Sequence, residues 1–199
     1  MVELVVNRFF ETPLIRQSFT ACFDDLAASI RHSMPDPEGE PVWHPVEADV
    51  MSDEAVQWAQ QMTILAERFS ADTDRRPPRH AWALSLAARI VPAGRSVSPI
   101  CDSGAYWSAV LRLSGEAGAG GEMIAEDPRM PMRAMHEPGI AFQAPDGELD
   151  AGARVSVGLV PGDAVLMPGW LRCGINYYRG TIPVVELGLS LFARPLGGA

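Results

Sequence analysis

Near residue 80 the apolar residues of this chain stop recurring about every 3.6 positions and begin to alternate, with a period of about 2. Before that point Phe19, Phe23, Leu26 and Ile30 fall at i, i+4, i+7 and i+11, and Trp58, Met62, Leu65 and Phe69 form a second such stripe. Each predicts an amphipathic helix following an opening strand over Val2 to Phe10. Pro35, Pro37 and Gly39 end the first helix. Ser52 with Asp53 and Glu54 opens the second, where the acids complement the helix dipole, and the prolines of RRPPRH close the helical half. Afterwards Trp82, Leu84 and Leu86 alternate, as do Trp107 to Leu113, Val155 to Leu159 and Val185 to Leu191. Pro/Gly turns such as Pro161/Gly162 and Pro168/Gly169 punctuate the strands. Helices first and strands afterwards predict an α+β fold, with helices packed outside a sandwich or barrel. The 199 residues suit one domain, helical over 1–79 and β over 80–199.

Composition removes several function classes. The net charge is −9, and no basic cluster is present, so nucleic acid is not an expected partner. All 16 basic residues are arginine, which leaves no lysine for a Schiff base or a Walker-type phosphate loop. This Arg/Ala/Gly/Pro-rich usage suits a GC-rich bacterial genome. Cys22, Cys101 and Cys173 are odd in number, distant, and without CxxC spacing, which predicts free thiols in a reducing compartment. The start MVELVVNRFF lacks the charge pattern and cleavage site of a leader, and no apolar run reaches the roughly 18 residues of a membrane span. A cytoplasmic protein, with a homodimer as one assembly, is the expectation.

Motifs for catalysis are sparse. His32, His44, His80 and His136 each lack a second ligand at metal-binding spacing, and there is no HxD, HExxH, GxSxG or placed GxGxxG. The strand half offers Asp102, Asp127, Arg129, Cys173 and Glu186 as polar or soft groups near strand ends. Asp127 and Arg129 can tie their turn together, and Trp107 and Trp170 can serve as core or as a stacking surface.

Read as segments, SPICDSGAYWSAVLRL, GEMIAEDPRMP, and PGDAVLMPGWLRCGINYY followed by VVELGLSLF resemble the 2-oxoglutarate and Fe(II) dependent oxygenase family of bacterial proteins. The first resembles that family's histidine-bearing HxH-type segment, the second its Asp-Pro-Arg turn, and the third its G-D-x-x-x-F-P-x-x-L-x-H segment. NRFFETPLI resembles its start. The resemblance implies a double-stranded β-helix, a jelly-roll or cupin-like barrel from about residue 80. It also implies Fe(II) and 2-oxoglutarate as cofactors, and hydroxylation coupled to decarboxylation of the keto acid.

A facial triad needs two imidazoles and a carboxylate. In the matching positions this chain has Ile100 and Asp102, then Cys173, or Arg172 if the register slips by one. The resemblance therefore puts Asp102 at the carboxylate ligand and Cys173 at a substituted histidine. Glu186 falls where an arginine would grip the keto acid, and a carboxylate there would repel it. Ser190 and Gly188 share the Glu186 face and would border a cavity, with Arg129 and Trp170 near its mouth. Three readings follow: a hydroxylase-type oxygenase, a catalytically degenerate relative that binds a small molecule or a protein, and a cupin-like metal site completed by His80 or His136.

Overall fold

The computed structural model describes residues 12–34, 39–46, 51–70, 80–128, 142–144, 147–149 and 154–195. Its elements are β1 (Ile15–Ser18), α1 (Asp24–Ser33), β2 (His44–Pro45), α2 (Asp53–Arg68), β3 (His80–Val91), β4 (Val97–Ile100) and β5 (Trp107–Ser114). There follow β6 (Met123–Glu126), the hairpin β7 (Phe142–Ala144) and β8 (Gly147–Leu149), β9 (Arg154–Val157), β10 (Asp163–Pro168), β11 (Arg172–Ile175) and β12 (Val184–Pro195).

The larger sheet has six strands in the order β1-β10-β5-β12-β3-β2, and the smaller has four in the order β4-β11-β6-β9. Every pairing is antiparallel. From β3 to β6 and again from β9 to β12, successive strands alternate between the sheets, so the chain winds around one interior as in a jelly roll.

Two apolar layers result. Leu26 and Ile30 of α1 and Trp58 and Met62 of α2 share one cluster with Leu111 and Leu187, which puts the helices on the outer face of the larger sheet. Val110, Val165 and Met167 of that sheet meet Met123 and Ala125 of the smaller one in a second cluster. Strand β5 is thus covered on both faces, and every one of its residues except Ser108 is buried. Trp107 belongs to the helical layer, where its Nε1 donates to Ser70 Oγ at 2.8 Å.

The segment PGDAVLMPGW fastens β1 to this frame. Asp163 accepts hydrogen bonds from Ser18 Oγ at 2.5 Å, Arg16 at 2.5 Å and the Val160 N–H at 3.0 Å. Gly162 takes φ +92°, and a Cβ there would lie 2.6 Å from Phe19 O, so the turn requires glycine. The Phe19 N–H in turn donates to Gly162 O at 2.8 Å. Phe19 is therefore spoken for by the strand β1 side and lies outside the helix that its spacing predicts. The second helix begins as expected, with Ser52 Oγ accepting from Ala55 N at 3.3 Å. Its stripe ends earlier than the spacing suggests, because Phe69 is the C-cap residue and is 50% exposed. The stretch before residue 80 also contributes β1 and β2 to the larger sheet. The expected strand over Val2 to Phe10 lies outside the described residues, and no helix among those described is long and apolar enough to cross a membrane.

Since Leu187 is fully buried between the sheet and the helices, Leu187→Ala should lower stability by about 2–5 kcal/mol in urea denaturation. Ile64→Ala, on the exposed face of α2, should stay within about 0.5 kcal/mol of the parent.

Candidate functional site

The interior of the jelly roll is organised by the register of β3, β12 and β5. Glu186 pairs with Arg89 and Arg112, Gly188 with Ala87 and Val110, and Ser190 with Ser85 and Ser108. Because side chains alternate along a strand, these residues project from the same face in three successive rungs. One rung is ionic, one small and apolar, and one made of hydroxyls.

In the ionic rung Glu186 is fully buried, while Arg89 and Arg112 are 1% and 2% exposed. Arg89 Nε donates to Glu186 Oε2 at 2.8 Å, and Arg112 donates to Oε1 at 2.9 Å and to Gly121 O at 2.9 Å. The Arg89 guanidinium also lies 4.3 Å from the centroid of the Trp43 ring, a cation–π contact that offsets part of the rung's surplus positive charge. Arg112 Nε is buried without a hydrogen-bond partner among the described residues. Burial by itself would raise the Glu186 carboxyl, but the charges and hydrogen bonds of the two arginines outweigh it and hold the group below its ordinary 4.5.

Above this rung lies a cavity of about 450 Å³. Its wall includes Ala87, Gly188 and Val110 of the middle rung, the three serines of the next, and Trp43, Met167, Cys173 and Asp102. The Trp43 indole reaches it because residue 188 is glycine: a Cβ there would lie 3.0 Å from the ring. Asp102 stands in the turn between β4 and β5, where its N–H donates to Gly169 O at 3.0 Å and its carboxylate accepts a hydrogen bond from Ser190 Oγ. Cys173 of β11 faces the same space. The residue is half-buried, and burial pushes its thiol up to about 12 although Arg89 pulls the other way. A larger depression of about 740 Å³ between α2 and β3 is walled by apolar groups with only Gln60 and Thr63 among them, and offers no comparable chemistry.

The structure thus gathers Asp102, Cys173 and Ser190 around one cavity and puts Glu186 beneath it. Arg172, the alternative register for Cys173, points outward and donates to Pro99 O at 2.8 Å. Trp170 sits at the turn between β10 and β11, 37% exposed. Asp127 accepts from Thr12 Oγ1 at 3.1 Å, while Arg129 and His136 lie outside the described residues. His80 is exposed at the start of β3, and none of the described histidines lines the cavity.

Glu186 is not an isolated carboxylate, because its cross-strand neighbours are both arginines and the rung carries a net positive charge. The sequence reading passed over Arg89, Arg112 and Trp43. A usable signal was there, since Arg112 interrupts the apolar run WSAVLRL and Arg89 interrupts LAARIV, and a charge buried in such a strand needs a partner.

The described residues do not fit an iron centre. Among the described residues no group of three His, Cys, Asp or Glu side chains can hold a metal ion. Cys101, Asp102 and Cys173 line the cavity, but no imidazole among the described residues joins them, whereas a facial triad needs two.

Glu186→Gln should cost about 3–5 kcal/mol by leaving two guanidiniums uncompensated. Since the folded Glu186 value is depressed, its contribution is present above the ordinary 4.5 and is lost as pH falls through the folded value. Stability measured by denaturant titration should therefore decline below about pH 4.5, and less steeply in Glu186→Gln. Asp163, held low by Ser18, Val160 and Arg16 against the effect of burial, should account for part of the slope that remains. At pH 8 a disulfide reagent should modify the exposed Cys22 and Cys101, and should modify Cys173 at least about 100-fold more slowly until the protein unfolds.

No family model matches the sequence, and no curated protein matches it. Solved structures do. A prolyl-4-hydroxylase from Pseudomonas putida is 12% identical and superposes with a TM-score of 0.56 over 91% of this chain and 92% of its own. SnoN, a non-haem α-ketoglutarate dependent epimerase of nogalamycin biosynthesis, is 16% identical, with a TM-score of 0.58 over 94% of this chain and 82% of its own. HygX from Streptomyces hygroscopicus, solved with nickel and 2-oxoglutarate bound, is 11% identical, with a TM-score of 0.56 over 90% and 83%. At such identities the likeness is one of architecture: this chain has the jelly-roll fold of the 2-oxoglutarate and Fe(II) dependent oxygenases.

Proposed function

We propose that this chain is a member of the 2-oxoglutarate and Fe(II) dependent oxygenase family that uses its barrel cavity to bind a small organic molecule without the family's iron centre. The family half of the reading is supported by the shared fold and by the GDAVLMPGWL and Asp-Pro-Arg segments. Fold does not settle activity, so the second half rests on the cavity itself.

The observation that carries it is the set of groups facing that space. Asp102, bonded to Ser190, and Cys173 both face it, and no imidazole joins them among the described residues. What the cavity does offer is a binding surface: Trp43 and Met167 for an apolar body, and Asp102 with three serines to orient a polar end. A volume of about 450 Å³ suits a small organic molecule. Hydroxylase-type turnover is the competing reading, and the resemblance to catalysts of that fold is what favours it.

Anaerobic titration with Fe(II), followed by an oxygen-dependent succinate assay with 2-oxoglutarate, separates the two. We expect no stoichiometric iron uptake and no succinate above the protein-free control. One equivalent of Fe(II) bound, with succinate released on admitting oxygen, would sink the metal-free reading.

A further inference from the structure

Two guanidiniums converging on one point form a receptor for a carboxylate. In this barrel the carboxylate is the protein's own: Glu186 accepts from Arg89 at 2.8 Å through one oxygen and from Arg112 at 2.9 Å through the other. The receptor is also closed off from the cavity. Arg89, Arg112 and Glu186 do not line that space, whereas Trp43 does, and its ring lies 4.3 Å from the Arg89 guanidinium.

The wall of the cavity has a complementary character. Among the described residues Asp102 is its only formally charged side chain, and no arginine or histidine of that set lines it. A carboxylate entering here would lose its water beside Asp102, and the arginines beneath the wall, Arg89 and Arg112, are already engaged by Glu186. An ammonium or hydroxyl group would instead donate to Asp102. Ser85 and Ser108 can donate or accept alongside it, and Trp43, Met167 and Phe192 can cover a short carbon chain.

We propose that Glu186 is a built-in ligand that fills the molecule's carboxylate receptor from within, so that the cavity binds a small alcohol or amine through Asp102 and rejects dicarboxylates. This inference rests on the reading of the cavity as the binding site and adds the chemical class of its occupant.

Saturation-transfer NMR on the wild-type protein tests it with three probes that share a five-carbon chain, glutarate, pentane-1,5-diol and 1,5-diaminopentane, and with 2-oxoglutarate. Signal is expected from the diol or the diamine, with the diamine bound about tenfold or more weakly by Asp102→Asn. None is expected from glutarate or 2-oxoglutarate. Binding of either dicarboxylate overturns the inference, and so does the absence of signal from both the diol and the diamine. The second arm empties the receptor. Glu186→Ala is expected to melt about 3–5 °C higher in about 100 mM sodium acetate than in sodium chloride of equal ionic strength, with the wild type unchanged. Equal melting of the variant in the two salts overturns the built-in ligand, and the NMR arm is informative even if that variant folds poorly. Dicarboxylate binding without iron uptake would remove this inference and leave the metal-free reading in place. Iron uptake with succinate release would remove that reading.

Discussion

The pairing of Glu186 with Arg89 and Arg112 governs both the assembly of the barrel and the character of its interior. These residues come from three adjacent strands and meet only when β3, β12 and β5 are in the observed register. A slip of one residue would turn a guanidinium into the apolar layer under the helices and strand its charge there. Buried ion clusters of this kind often contribute little net stability, since desolvation consumes much of the attraction. Their worth here is in specification: the cluster penalises every register but one at the centre of the larger sheet.

The same alternation divides β12 into two surfaces with different duties. Leu187, Leu189 and Leu191 hold the helical layer, and any of them could be exchanged for another apolar residue of similar volume at modest cost. Glu186, Gly188 and Ser190 face inward and differ from one another because each meets a different environment. The acid answers two arginines, the glycine makes room for the Trp43 indole, and the serine reaches Asp102. Trp43 couples the two regions, since it stacks with Arg89 and also forms part of the cavity wall. A ligand in the cavity would therefore touch a residue that the ionic rung helps to hold in place.

Much of the architecture was legible in the residues. Ser52 with Asp53 and Glu54 marked a helix start that the structure reproduces, because capping is a local interaction between neighbours in sequence. The alternation after residue 80 marked strands for a similar reason. Phe19 and Phe69 were misassigned at helix ends, where spacing alone cannot show that a backbone N–H is taken by a distant turn or that the last residue of a stripe is a cap. The cavity residues Asp102, Cys173, Ser190 and Gly188 were found through family-like segments rather than through any chemical motif. Arg89 and Arg112 were missed because nothing in the linear chain says which strands flank β12.

The sequence by itself determined the order and type of the elements and the absence of lysine chemistry. These properties are local or compositional, and no partner distant in the chain is needed to read them. Only the tertiary structure decided what Glu186 is. Read alone, it is a carboxylate that repels acids. Set between β3 and β5, it is the counter-ion of two buried guanidiniums, and its sign is reversed in effect by neighbours 97 and 74 positions away in the chain. Electrostatic character inside a protein belongs to the ensemble of charges brought together with water excluded, and only the strand register brings these together.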